Sequence, residues 1–184
     1  AVVATLLEAG ADAGVDCGAG RGTALCVAAE WGRHGVVVAL LAGNAELASA
    51  TMRGGVGAGR AGATPLVLAS AEGHVEVVRT LLRAVEGGAD EASPLVDRRT
   101  EDGTTALLAA SRAGHHEVVR ELLGPGHAAT EVGAVTVYGS GGGTALWVAC
   151  FAGHAEAAEA LLAGGADLEA RLTSGLYKGG TALW

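Results

Sequence analysis

Apolar positions along this chain follow one pattern that is written out several times. In TPLVLASAEGHVEVVRTLL (64–82), Leu66 and Ala69 stand three apart, a glycine follows at Gly73, and Val77–Val78 then precede the pair Leu81–Leu82. TALCVAAEWGRHGVVVALL (23–41), TALLAASRAGHHEVVRELL (105–123) and TALWVACFAGHAEAAEALL (144–162) align with it without a gap. A fifth unit begins as TALW at Thr181, and VVATLLEAGAD near the start matches the second half of a unit and its exit. Recurrence at this spacing marks a stacked repeat in which each unit buries its apolar face only against its neighbours.

Each unit reads as two short antiparallel helices. Thr23, Thr64, Thr105, Thr144 and Thr181 are N-caps, and Pro65 sits at the first helical position, where its missing N–H does no harm. Leu25, Leu66, Leu107 and Leu146, with Ala28, Ala69, Ala110 and Ala149 three residues on, form a narrow stripe whose alanines admit a close neighbour. The first helix should end at Gly32, Gly73, Gly114 and Gly153 in a left-handed cap. The second should close at Gly10, Asn44, Gly126 and Gly165, Asn44 being the one non-glycine residue that tolerates the same geometry. The capping threonines are 41, 41, 39 and 37 residues apart, while every full segment keeps 19, so all length variation lies in the connectors.

Composition agrees with many thin layers. Half the residues are hydrophobic but only 3% are aromatic, and 31 of 184 are glycine. Twelve basic against twenty acidic residues give a net charge of −8, which removes long-range attraction to nucleic acid or an anionic membrane. Eleven of the twelve cations are Arg, which favours planar, bidentate contacts. Three scattered cysteines, Cys17, Cys26 and Cys150, form no disulfide framework and fit a reducing, intracellular and cytoplasmic setting. Neither a secretory leader nor an apolar run near 18 residues is present in the sequence, so no membrane insertion is expected.

The second segment closely resembles the ankyrin repeat, TPLHxAAxxGHxEVVxLLLxxGAD, and the likeness covers nearly the whole chain in four full copies and two partial ones. The resemblance implies an all-α fold, an ankyrin-repeat solenoid of stacked helix-turn-helix units joined by β-hairpin fingers. It divides the chain into a partial repeat at 1–22, repeats at 23–63, 64–104, 105–143 and 144–180, and a truncated unit at 181–184, as expected of an excerpt from a longer array. Where the family has His after Thr-Pro-Leu, this chain has Cys26, Val67, Leu108 and Trp147, so the family's Thr–His bond is lost and Trp147 becomes a packing residue. Extra residues relative to the family's period enter at 42–63, 83–104, 124–143 and 163–180, where the resemblance places the fingers. EASPLVDRRTEDGT and TEVGAVTVYGSGGGT are expected to extend them, the latter with alternating Val135 and Val137.

The chemistry-bearing residues mostly have structural explanations. His74, His115 and His154 recur at one repeat position, but repeats stack ~10 Å apart, too far for neighbouring imidazoles to share a zinc at ~2.1 Å per bond. They are expected to hydrogen-bond a loop backbone, with His116 facing solvent. Glu76, Glu117 and Glu156 open second helices, where the dipole favours negative charge. Cys26 and Cys150 fall at apolar repeat positions, Cys17 lies in a finger, and no thiol or hydroxyl stands in an arrangement that marks a nucleophile. No catalytic residue, metal or cofactor is assigned.

Gly57, Gly59 and Gly62 in GAGRAGATPL match the G-x-G-x-x-G spacing of dinucleotide-binding turns. Its counterparts GAGRGTAL (18–25), GSGGGTAL (139–146) and YKGGTALW (177–184) lack that spacing, and the buried strand that the fingerprint requires does not precede it. The stretch is a helix entrance. Binding to other proteins is the expected function, since stacked repeats present an extended concave face. The resemblance puts the contact positions just before each Gly-His and just before each Thr. There Trp31, Glu72, Arg112 and Phe151 stand on the helices, with Arg60, Thr104 and Tyr138 on the fingers. The alternative is that the array targets or regulates a larger enzyme or channel whose catalytic part lies outside this chain; neither reading assigns a small-molecule substrate.

Overall fold

The structure is a computed structural model that describes residues 2–18, 20–52, 61–86, 95–124, 143–170 and 179–182. Nine α-helices lie among them: α1 (Val2–Glu8), α2 (Ala24–Glu30), α3 (His34–Gly43), α4 (Pro65–Ala71), α5 (Val75–Glu86), α6 (Ala106–Ala113), α7 (His116–Leu122), α8 (Ala145–Ala152) and α9 (Ala155–Ala163). They form two parallel rows. The first helices pack in the order α2, α4, α6, α8 and the second helices in the order α1, α3, α5, α7, α9, with each first helix against its own second helix.

Sequence grammar and packing coincide. Leu25, Leu66, Leu107 and Leu146 are all 3% exposed or less, and Ala28, Ala69, Ala110 and Ala149 beside them are buried too. Val77, Val78, Leu81 and Leu82 fill the matching layer of the second row. A fully buried Leu contributes roughly 1.5–3 kcal/mol of transfer free energy, so the core is a ladder of small, similar increments.

The caps follow the expectation with two differences. Thr64, Thr105 and Thr144 each accept the backbone N–H three residues on, from Val67, Leu108 and Trp147, at 3.2–3.3 Å. Thr23 does not; its hydroxyl donates to Cys26 Sγ at 3.6 Å, because the residue that replaces the family His supplies an acceptor inside the turn. Gly32, Gly73, Gly114 and Gly153 take φ between 62° and 78°, the left-handed caps foreseen, and Gly10 and Gly165 do likewise. Asn44 is extended instead, at φ −160°. Its side chain accepts from Glu46 N–H at 2.9 Å and so starts a 3-10 turn at Ala45–Ser49. Left-handed backbone is something Asn tolerates, whereas capping a new turn satisfies a donor. Gly126 lies outside the described residues, and Thr181 and Ala182 are not helical.

The connectors depart most from expectation. Among the described residues there is no sheet, only an isolated antiparallel bridge between Asp16 and Thr23. Leu47, Ala48 and Met52, in the connector after α3, are buried in the core, and so is Val96 in a second 3-10 turn, Leu95–Asp97. These stretches fold back onto the helices. Burial of a few apolar side chains outweighs extension into solvent, where a lone hairpin is marginal. The connector bases are also tied to one another: Met52 N–H donates to Ala63 O, Glu101 N–H to Ala61 O, and Arg98 Nη1 to Ser49 O. Residues 53–60, 87–94, 125–142 and 171–178, which include Val135 and Val137, lie outside the described residues.

Candidate interaction surface

The glycine-histidine pairs hold adjacent repeats in register. His74 Nε2 donates to Glu30 O at 3.0 Å, His115 to Ala71 O at 3.1 Å and His154 to Arg112 O at 3.1 Å. Each acceptor is a carbonyl in the last turn of the preceding repeat's first helix, one of the groups a helix end leaves unpaired. The partner is therefore a helix end in the preceding layer rather than a loop. Each ring also lies over the preceding cap glycine: a Cβ built on Gly32, Gly73 or Gly114 would meet the Nδ1 of His74, His115 or His154 at 2.6 Å. Glycine is required there twice, by φ and by space. These imidazoles are occupied by structure, and no three His, Cys, Asp or Glu side chains among the described residues group as metal ligands. His116 is half-buried rather than fully solvent-facing.

On the second-helix row, Arg79 bridges repeats. Its Nε and Nη2 meet the two oxygens of Glu121 at 3.2 and 2.5 Å, and Nη1 meets Glu76 at 2.7 Å. This bidentate pairing holds the guanidinium more firmly protonated than usual, chiefly through the hydrogen bonds it donates to Glu121. Beside it, Thr80 Oγ1 donates to Glu76 O at 2.9 Å and is left to accept from His34 Nε2 at 2.9 Å. No sequence signal paired Arg79 with Glu121 or His34 with Thr80, since these two links join non-equivalent positions of successive repeats.

Three of the expected contact residues come together. Glu72, Arg112 and Thr104 line a trough of about 420 Å³ between α4 and α6, floored by Val67, Leu68 and Ala109 and closed on one side by Asp102. Asp102 belongs to the turn Thr100–Thr104. It accepts from Thr100 Oγ1 and, at 3.1 Å, from Thr104 N–H, and Gly103 supplies the turn's positive φ of 80°. Burial alone would raise its pKa, but the hydrogen bonds from Thr100 and Thr104 and the nearby Arg112 charge outweigh that and hold it below the ordinary carboxylate range. The trough thus carries fixed negative charge beside a guanidinium, over an apolar floor. Thr104 was expected at a finger surface but is 6% exposed, because the turn folds it under; its Oγ1 has no hydrogen-bond partner among the described residues.

Trp31 is 60% exposed and lines a separate trough beside α2. Phe151 is 67% exposed and stacks on Trp147, with ring centroids 4.9 Å apart at 12°. Trp147 is partly buried, in keeping with a packing role. Arg60 and Tyr138 lie outside the described residues. Neither Cys26 nor Cys150 is activated: burial pushes Cys26 up, despite its bond from Thr23, and partial burial pushes Cys150 up. Cys150 is exposed although its counterparts Ala29, Ser70 and Ser111 are fully buried.

Two rows of short helices, glycine caps filled by the next repeat's histidine and connectors of variable length define an α-helical repeat solenoid. The family model for ankyrin repeats in three copies matches residues 1–94 and 91–171. The chain belongs to the ankyrin repeat family. No curated protein matches it. Ankyrin repeats are generally protein–protein interaction modules and typically non-catalytic. Among the described residues no helix is long and apolar enough to cross a membrane.

Proposed function

We propose that this array is a non-enzymatic binding module that takes a segment of another protein on the concave side of its first helices and connectors. The carrying observation is the trough between α4 and α6, where Glu72, Asp102 and Arg112 ring an apolar floor. Apolar area supplies affinity, and the mixed charges select orientation and partner. Trp31 and Phe151 extend the surface along the stack as exposed aromatic anchors, the residue type that dominates interface energetics. Arg60 and Tyr138 are assigned to the same surface from the connectors. With Cys17 and Cys150 exposed and Cys26 buried, all as free thiols, the reading places the module in a reducing, cytoplasmic compartment.

The test compares proteins retained from a cell extract by the wild-type array and by the Trp31→Ala/Arg112→Ala variant, identified by mass spectrometry. A defined subset should be retained about tenfold less, with the far-ultraviolet circular dichroism unchanged, because hot-spot truncation costs ~1–2 kcal/mol or more. Identical retention would exclude this surface.

A further inference from the structure

We propose that the trough between α4 and α6 receives a lysine side chain from an extended segment of the partner, its ammonium held by Asp102 and Thr104. The proposal rests on the reading of that trough as a partner site and names the chemical group that fills it.

The trough lies inside the stack and not at an end of it: α2 packs on α4 and α8 on α6, so the chain's own layers stand on both sides. Val67, Leu68 and Ala109 give it an apolar floor, and Asp102 and Thr104 stand on the turn that leads into Thr105, the cap of α6. Glu72, the C-cap of α4, adds a second negative charge. The residue three before each capping threonine is Gly20, Ala61, Asp102, Gly141 or Lys178, so the acid occurs in one layer of the array.

Two features of the turn suit a cation that donates hydrogen bonds. Asp102 is half-buried, and the two hydrogen bonds it accepts, from Thr100 Oγ1 and Thr104 N–H, both fall on Oδ1, which leaves Oδ2 to accept from a ligand. Thr104 is 6% exposed, and its Oγ1 makes no hydrogen bond among the described residues. A buried polar atom without a partner carries a desolvation cost that a bound group relieves. An ammonium has three donors and no acceptor, enough for Oδ2 and Oγ1 with one left for water, and the methylenes behind it suit the apolar floor. A guanidinium suits the turn less well, because its planar fork matches both oxygens of one carboxylate and Oδ1 is already occupied. Arg112 does not oppose the ammonium. It stands in the last turn of α6, and the helix rise from Thr105 places it ~10 Å along the axis, about a Debye length away at physiological salt.

The probe is a short labelled peptide of Thr and Val, which favour extended backbone, with one central Lys and blocked ends. Its anisotropy is followed on titration with the full 184-residue chain. Saturable binding is expected, about tenfold weaker when the lysine is acetylated or replaced by Glu and for the Asp102→Asn variant, since each loses hydrogen bonds between charged groups. Thr104→Val should weaken binding about threefold without lowering the urea midpoint, because the hydroxyl holds nothing in the free fold. Glu159→Gln removes the same charge from an exposed position on α9 and should leave binding within about twofold. No saturable binding, equal binding of the acetylated peptide, or a loss for Asp102→Asn no greater than for Glu159→Gln would each overturn the proposal. If the lysine peptide fails while Trp31→Ala/Arg112→Ala still alters protein capture, the surface stands as a binding face and the lysine assignment falls.

Discussion

Gly73 and Gly153 share a φ of +77° and the same place in their repeats, yet their surroundings differ completely. A Cβ on Gly73 would strike Nδ1 of His115 at 2.6 Å; on Gly153 it would meet nothing within 4 Å among the described residues. Alanine at Gly153 should therefore cost only the left-handed backbone penalty, ~1 kcal/mol. At Gly73 the same substitution must also push the His115 ring off the Ala71 carbonyl, so overpacking adds ~1–3 kcal/mol. Urea unfolding of the two variants measures that difference, and equal midpoints would show that the imidazole yields without cost. Much of this lock was legible in the sequence, since glycine and histidine recur together and the copy with Arg33 in place of His is the first complete one. The direction of the link was not: the histidine serves the glycine of the preceding copy, and only the stacking reveals that. Asn44 shows the opposite limit, because a residue that permits a positive φ does not thereby demand one.

At the scale of elements, helices were legible and connectors were not, for a physical reason. Threonine caps, glycine stops and the Leu-Ala stripe recur because each helix must fit an equivalent neighbour. The connectors fit no equivalent, so Leu47, Met52 and Val96 gave no periodic sign that they enter the core. The candidate trough falls in the same gap, since its acid Asp102 stands on a turn of one repeat whose hydrogen bonds have no copy among the described residues. That turn makes a pH prediction. Asp102 titrates below its ordinary value in the folded chain, so its contribution is fully present above the unfolded value and is lost as pH falls through the folded one. Asp102→Asn should lower stability at neutral pH by ~0.5 kcal/mol, small because solvent screens a partly exposed carboxylate. The gap between wild type and variant should close in the acid range below the ordinary carboxylate value. Chemical unfolding at neutral and acid pH reads it, and a gap independent of pH would show that the turn is held by shape rather than by charge.

Across the whole molecule, contacts join each layer to the next and scarcely reach beyond, so stability is a chain of neighbour terms rather than one shared core. Leu107 and Leu146 are equally buried, 1% exposed each, but Leu107 in α6 lies between the layers of α4 and α8, whereas α8 has one first-helix neighbour among the described residues. Each Leu→Ala substitution removes a similar side chain and should cost ~2–5 kcal/mol locally. The consequences should differ. Leu146→Ala should let α8 and α9 open by themselves, raising amide exchange over 145–163 while 65–122 keep their protection. Leu107→Ala should weaken the coupling between the two halves of the stack and broaden the urea transition, since the layers on either side can then unfold separately. Exchange mass spectrometry distinguishes the two. If Leu146→Ala lowered protection evenly through 65–122, the array would be a single cooperative core, and a partner gripping α4 and α6 would then stabilise every repeat rather than its immediate neighbours.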